Sequence, residues 1–216
     1  MRTRIKICGV RRPEDAALAA EAGADAVGVV VYAPGAKREV EPVKADEIFI
    51  ALPLFVSTVG VCVGVHPNRL RMIMAQARFD LAQFHGEESV EEVKRAQPSP
   101  VVKAVRVGSD LADQLRKWSD KSVRNLRAIT LDSAGDGGSG DVADWDAVES
   151  ALKRIDRATL PPLIISGGLS ADNVGEAIKR FKPWAVDVSS GVEGEDGFKS
   201  AEKIKAFVQA VRDADG

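Results

Sequence analysis

Apolar positions along the chain alternate between two periods. Short runs rich in β-branched and aliphatic residues read as strands: Arg4–Cys8, Ala26–Val31, Val56–Val63, Leu81–Phe84, Val101–Val105, Ala128–Leu131, Leu163–Ile165 and Ala185–Val188. Between them, apolar residues recur at i, i+3, i+4, i+7, the spacing of one helix face. Leu70, Ile73, Met74 and Ala77 show it, as do Val148, Ala151, Leu152 and Ile155, then Val174, Ala177, Ile178 and Phe181, and finally Ile204, Phe207, Val208 and Val211. The stretches after Pro13, Pro42, Glu88 and Asp110 carry weaker patterns of the same period. Strict strand-then-helix alternation predicts a parallel sheet. Eight repeats in 216 residues predict an α/β chain closed into a (β/α)8 (TIM) barrel rather than an open flavodoxin-like or Rossmann sheet. The first turn, Cys8-Gly9-Val10-Arg11-Arg12, also lacks the Gly-x-Gly-x-x-Gly of dinucleotide sheets. With no Ser/Pro linker or low-complexity block, a single domain over 1–216 is expected.

Side chains alternate across a strand, and barrel chemistry gathers at strand carboxyl ends. That parity sets Lys6 with Cys8, Gln83 with His85, Thr130 with Asp132, and Asp187 with Ser189. Each pair is expected inside the barrel mouth, with Ile5, Ile7, Leu131, Val186 and Val188 facing the helices. Lys103 and Arg106 also read as lining the mouth. After the seventh strand comes Ser166-Gly167-Gly168, and after the eighth Ser189-Ser190-Gly191. Either alone suits a tight turn. Together, at the loops where barrels commonly hold phosphate, they predict an anion site built from backbone N–H groups and serine hydroxyls.

Composition narrows the partners. A net charge of -2 and a pI near 5.8 supply no basic stripe, so no nucleic acid is expected. No run reaches membrane-spanning length, and the start of the chain has no secretory pattern. Cys8 and Cys62 are the two cysteines, neither in a metal-ligand spacing, which fits a reducing cytoplasm. Cys62 reads as a buried hydrophobe, and Cys8 taken alone reads the same way.

Lys6-Ile7-Cys8-Gly9, Lys37-Arg38, Gln83-Phe84-His85-Gly86, Leu131-Asp132-Ser133, Gly137-Gly138-Ser139-Gly140 with Asp144-Trp145, Ser166-Gly167-Gly168-Leu169 and Asp187 through Glu193 follow one another along the chain. In this order and spacing they closely resemble the phosphoribosylanthranilate isomerases of tryptophan biosynthesis, over a span from Lys6 to the final helix. The resemblance implies an Amadori rearrangement of N-(5′-phosphoribosyl)anthranilate to 1-(2-carboxyphenylamino)-1-deoxyribulose 5-phosphate, without metal or organic cofactor. It implies Cys8 as general base and Asp132 as general acid. Arg38 and Asp187 are implied as substrate contacts, with Gln83 and His85 beside them, and Gly167, Gly168, Ser189, Ser190 and Gly191 as the phosphate loop. The partner is then a small phosphorylated molecule, bound by a monomer or a homodimer.

Proton-transfer chemistry sets demands on both groups. A thiol removes a carbon-bound proton as thiolate, which Lys6 on the same strand face favours. A carboxyl that donates a proton near neutrality needs its pKa raised by apolar or like-charged surroundings. Asp132 equally suits a cap of the following loop, and His85 a bond to a backbone carbonyl. Two departures from the family pattern stand out: Asp141-Val142-Ala143 where a lysine and an aromatic are usual, and Glu39 after Arg38 where an aromatic is common. A catalytically silent phosphosugar-binding barrel remains the alternative of a different class. The related histidine-pathway isomerase has an aspartate where this chain has Cys8, and indole-3-glycerol phosphate synthase needs a longer chain with lysine and glutamate catalysts.

Overall fold

Eight parallel strands pair in sequence order, and β1 closes the ring against β8. In the computed structural model, which describes residues 2–133 and 143–216, the order is β1 (Arg4–Ile7), α1 (Pro13–Ala22), β2 (Ala26–Tyr32), α2 (Pro42–Ile50), β3 (Ser57–Cys62), α3 (Pro67–Ala77), β4 (Leu81–Phe84) and α4 (Val90–Arg95). The second half repeats it: β5 (Val101–Arg106), α5 (Leu111–Trp118), β6 (Leu126–Asp132), α6 (Trp145–Lys153), β7 (Leu163–Ile165), α7 (Val174–Phe181), β8 (Ala185–Val188) and α8 (Ala201–Asp215). The (β/α)8 barrel expected from periodicity is the architecture found. The glycine-rich segment 137–140 and the departures at Asp141 and Val142 lie outside the described residues.

Local chemistry sets the helix starts. Proline opens α1, α2 and α3, where its missing N–H costs nothing. Ser89 and Glu92 form a reciprocal capping box on α4, and the Asp144 carboxylate accepts from the N–H groups of Asp146 and Ala147 to start α6.

The parity argument holds in the packing. Ile5, Ile7, Ile129, Leu131, Val186 and Val188 join the large core between sheet and helices. Val102, Ala128, Ile164 and Ala185, with Leu81 against them, fill the barrel interior. These small or branched residues plug the lower barrel, so the polar residues of the same parity stand above them at the carboxyl ends of the strands.

Lys103 lines a cavity with Arg106, His85 and Asp132, as expected, but it does so from the helix side of the wall. It shares the outward parity of Val101 and Val105, and is 4% exposed. Its Nζ donates to the carbonyls of Gly86 (2.6 Å) and Ala104 (2.7 Å) and pairs with Glu88 at 3.1 Å. Glu88 in turn accepts from the N–H groups of Gly64 and Gly86. A buried charge needs such a complete set of partners, and here it fastens the loops after β3 and β4 to strand β5.

Candidate active site

Strand register brings the predicted residues together. Lys6 pairs directly with Asp187 across β1 and β8. One residue below, Ile165 pairs with Val186 and Leu131 with Ile165, so Ser166, just past β7, and Asp132, the last residue of β6, continue the same row. Cys8 lies just beyond β1, where its N–H extends the ladder to the Val188 carbonyl at 2.8 Å. Lys6, Cys8, Asp187, Ser166 and Asp132 thus share the inner face at one end of the barrel.

The β1 side is an ion pair with a thiol beside it. Lys6 Nζ donates to Asp187 Oδ2 at 2.6 Å, and both side chains are buried. Asp187 Oδ1 is buried with no partner among the described residues, an acceptor left for a donor in the mouth. Burial pushes the Cys8 thiol up; Lys6 pulls it down and Asp187 pushes it up again, with a net rise. Lys6 therefore acts in the sense expected from the sequence but does not prevail, because burial outweighs it and Asp187 adds to burial. Gly28 on β2 makes the room: a Cβ there would stand 2.8 Å from Cys8 Sγ and 3.0 Å from Lys6 Cε.

On the β6 side, Asp132 Oδ1 accepts from the Ser133 N–H (3.0 Å) and from Ser166 Oγ (3.0 Å). Its Oδ2 meets His85 Nε2 at 2.8 Å, and His85 Nδ1 meets Gln83 Nε2 at 3.0 Å. Burial pushes this carboxyl up, but the bond and charge of His85, then Ser166 and the Ser133 N–H, outweigh it and hold the group below its ordinary value. The direction is therefore opposite to the raised acid that the chemistry calls for. The bond from the Ser133 N–H also means that Asp132 caps its loop while facing the mouth. His85 bonds a carboxylate rather than a backbone carbonyl.

Loops seven and eight interlock as the anion site requires. Gly167 and Gly168 have φ of 82° and 63°, a region that side chains rarely occupy. Gly191 packs so closely on loop seven that a Cβ would lie 2.0 Å from the Leu169 carbonyl oxygen. A short 3₁₀ turn, Ser190–Val192, follows β8 and was not visible as periodicity. Arg38 reaches this region from the loop after β2: the Cβ that Gly9 lacks would meet Arg38 Cδ at 2.7 Å and Ser189 Oγ at 2.8 Å.

Glu193 and Lys199 were not assigned a role from sequence. Arg38 Nε and Nη2 donate to the two Glu193 oxygens at 2.7 and 2.8 Å, and Lys199 Nζ donates to Glu193 (3.0 Å) and to the Ser189 carbonyl (2.9 Å). Burial raises the Glu193 carboxyl, yet Arg38 and Lys199 hold it at about 2. These residues are far apart in sequence, and no spacing rule joins them. Cys62, fully buried and pushed up by desolvation, is the inert thiol expected.

The family model for N-(5′-phosphoribosyl)anthranilate isomerase matches residues 5–210. The chain belongs to this family. A relative of that name from Pseudomonas putida is 44% identical over 98% of both chains, and one from Herminiimonas arsenicoxydans is 43% identical over 99% of this chain and 95% of its own. The phosphoribosyl anthranilate isomerase of Thermus thermophilus superposes with a TM-score of 0.85 at 35% identity, covering 98% of this chain and 99% of its own. A second isomerase structure, solved in complex with reduced 1-(o-carboxyphenylamino)-1-deoxyribulose 5-phosphate, superposes with a TM-score of 0.83 at 36% identity, over 98% and 99% of the two chains. Among the described residues no helix is long and apolar enough to cross a membrane.

Proposed function

We propose that this barrel converts N-(5′-phosphoribosyl)anthranilate to 1-(2-carboxyphenylamino)-1-deoxyribulose 5-phosphate, with Asp132 as general acid and Cys8 as general base. The carrying observation is that a thiol and a carboxyl from β1 and β6 share the inner face at one end of the barrel, beside an interlocked glycine- and serine-rich loop pair. The phosphate anchors on Gly167, Gly168, Ser189, Ser190 and Gly191. Asp132 then protonates the ring oxygen while the C1–O bond breaks toward it, and the anilino nitrogen lone pair forms C1=N. The Cys8 thiolate removes the C2 proton, whose bond pair moves to C1=C2 as the nitrogen recovers its own. The resulting enol-amine tautomerises to the ketose. Each positioned proton-transfer group is worth about 10²–10⁴ in rate.

Asp187, with Oδ1 unpaired, suits the sugar hydroxyls or the anilino N–H. Arg38 faces the anthranilate carboxylate, and Gln83 and His85 shape the wall behind Asp132. The reading assigns a small phosphorylated partner, no cofactor, a cytoplasmic setting and a monomeric or homodimeric enzyme. The test is loss of anthranilate-type fluorescence from phosphoribosylanthranilate, with a downstream synthase removing the product. Loss faster than spontaneous decay is expected; a rate equal to that decay overturns the reading.

A further inference from the structure

An acid that starts as a carboxylate needs a proton source. Asp132 accepts three hydrogen bonds, and each favours its ionised form. Among the groups bonded to it, only His85 belongs to a residue type that changes charge near neutrality. With Gln83 Nε2 donating to His85 Nδ1, the ring proton sits on Nε2 and points at Asp132 Oδ2. We propose that His85 is the positioning residue that loads Asp132, a proton entering at His85 Nδ1 while the Nε2 proton passes to Asp132 Oδ2. The proposal rests on Asp132 being the acid of the reaction above.

Two neighbours are built to follow the change. Gln83 is 1% exposed, and its Oε1 is buried without a partner. When Nδ1 gains a proton, half a turn of the Gln83 amide presents Oε1 as acceptor and leaves Nε2 unpaired instead. One buried amide atom is therefore unpaired in either state, which keeps the two orientations close in energy. Ser166 Oγ lies 3.0 Å from Asp132 Oδ1 and 3.1 Å from the Leu131 carbonyl, so its single proton has a second acceptor when the carboxyl becomes neutral.

The relay has a way in. His85 opens on a cavity of about 530 Å³ that also takes in Glu87, Glu88, Lys103, Arg106, Asp110 and Lys117, along with Asp132. Glu88 is occupied by Lys103 and the loop N–H groups, and Asp110 accepts from Gln114. Glu87 and Arg106 are largely exposed and 4.0 Å from one another. Among the described residues Asp132 is thus the one carboxylate bonded to the imidazole. In the step itself, the N–H bond at Nε2 breaks as O–H forms on Asp132, and the carboxyl passes a proton to the ring oxygen as the C1–O bond opens. The pair is then back at its resting number of protons with the imidazole proton on Nδ1, and exchange with water in the cavity returns that proton to Nε2.

The decisive variant is His85→Gln, which keeps an N–H donor near Asp132 but cannot carry a second proton. The expected result is a fall in kcat of about tenfold or more with KM within about twofold, and loss of the limb in which wild-type kcat declines as pH rises. Gln83→Glu, a permanent acceptor for Nδ1–H, moves that limb to higher pH. Nitrogen NMR of the wild type, which has two histidines, reads the resting tautomer directly; protonation on Nε2 is expected at alkaline pH. A His85→Gln enzyme with wild-type kcat and pH profile overturns the relay, as does a resting ring protonated on Nδ1. Absence of wild-type turnover instead removes the isomerase reading on which the relay rests.

Discussion

Arg38 and Glu193 are joined by two nearly parallel hydrogen bonds of 2.7 and 2.8 Å, which tie the loop after β2 to the loop after β8 across the end of β1. A planar guanidinium held on two of its nitrogens has little rotational freedom left. Its Nη1 is not engaged by any described residue, which leaves that nitrogen for the substrate carboxylate in the proposed reading. Glu193→Gln keeps the size and removes the fork. The expected outcome is a rise in KM of about tenfold with a smaller change in kcat, since roughly one charge-assisted bond's worth of positioning is lost. Steady-state kinetics with phosphoribosylanthranilate decides it; an unchanged KM places the Arg38 role elsewhere.

The same carboxylate makes stability depend on acid. Glu193 is held at about 2 in the fold, below its ordinary 4.5. Between these values the unfolded chain binds the proton and the folded one does not, so stability falls as pH falls. The contribution is full above about pH 4.5 and is gone once pH passes below about 2. Urea unfolding at pH 7 and at pH 3 is the measurement. Wild type loses more stability than Glu193→Gln over that interval; equal losses contradict the assignment.

Gly28 predicts a cost unlike that of an ordinary strand glycine. A methyl group there meets Cys8 Sγ at 2.8 Å and Lys6 Nζ at 3.1 Å, and Lys6 is pinned by Asp187 and has nowhere to retreat. Gly28→Ala is expected to destabilise by about 1–3 kcal/mol through overpacking and to depress turnover by displacing the thiol. Gly108→Ala, whose Cβ would find a single atom at 3.5 Å, serves as control with a change within about 0.5 kcal/mol. Thermal or denaturant unfolding of the two variants separates them.

Sequence periodicity carried most of the fold because strand parity and helix spacing are local properties. Three strand ranges, Leu81–Phe84, Leu163–Ile165 and Ala185–Val188, agree with the structure to the residue. Parity also placed Lys6, Asp132 and Asp187 on the inner face. Lys103 lines a cavity with Arg106 as read, but its parity with Val101 and Val105 turns it to the helix side, which the reading did not include. The grip of Glu193 on Arg38 was illegible: it joins residues 155 positions apart through loops whose path no period encodes. The charge state of Asp132 was equally hidden. Burial and hydrogen bonding oppose each other there, and the balance depends on three donors that only the assembled barrel supplies.

Removing either proton-transfer group separates chemistry from binding. Cys8→Ser and Asp132→Asn are each expected to lower kcat by about 10²–10⁴. Neither side chain hydrogen-bonds Gly167, Gly168 or the serines of loop eight among the described residues, so binding of a phosphate-bearing product analogue, followed by calorimetry, is expected to stay within about threefold of wild type. A wild-type rate in either variant removes that residue from the mechanism.

The environment of Cys8 gives a prediction that needs no substrate. Burial and the Asp187 carboxylate both push the thiol up, and Lys6 only partly offsets them. Because the thiolate is the reactive form, alkylation by iodoacetamide is expected to be slow at neutral pH and to accelerate as pH rises. Cys62 is fully buried and also pushed up, so the early reaction reports Cys8. Asp187→Asn removes a negative charge near the thiol and releases Lys6 from its 2.6 Å partner, so the cation is left to act on the sulfur alone. The pH dependence of alkylation then moves to lower pH. Lys6→Met moves it the opposite way, since burial and Asp187 are then opposed by Lys199 without Lys6. Mass spectrometry of the modified peptide across pH measures both shifts. If Asp187→Asn leaves the profile unchanged or moves it upward, Asp187 is not what keeps the thiol protonated.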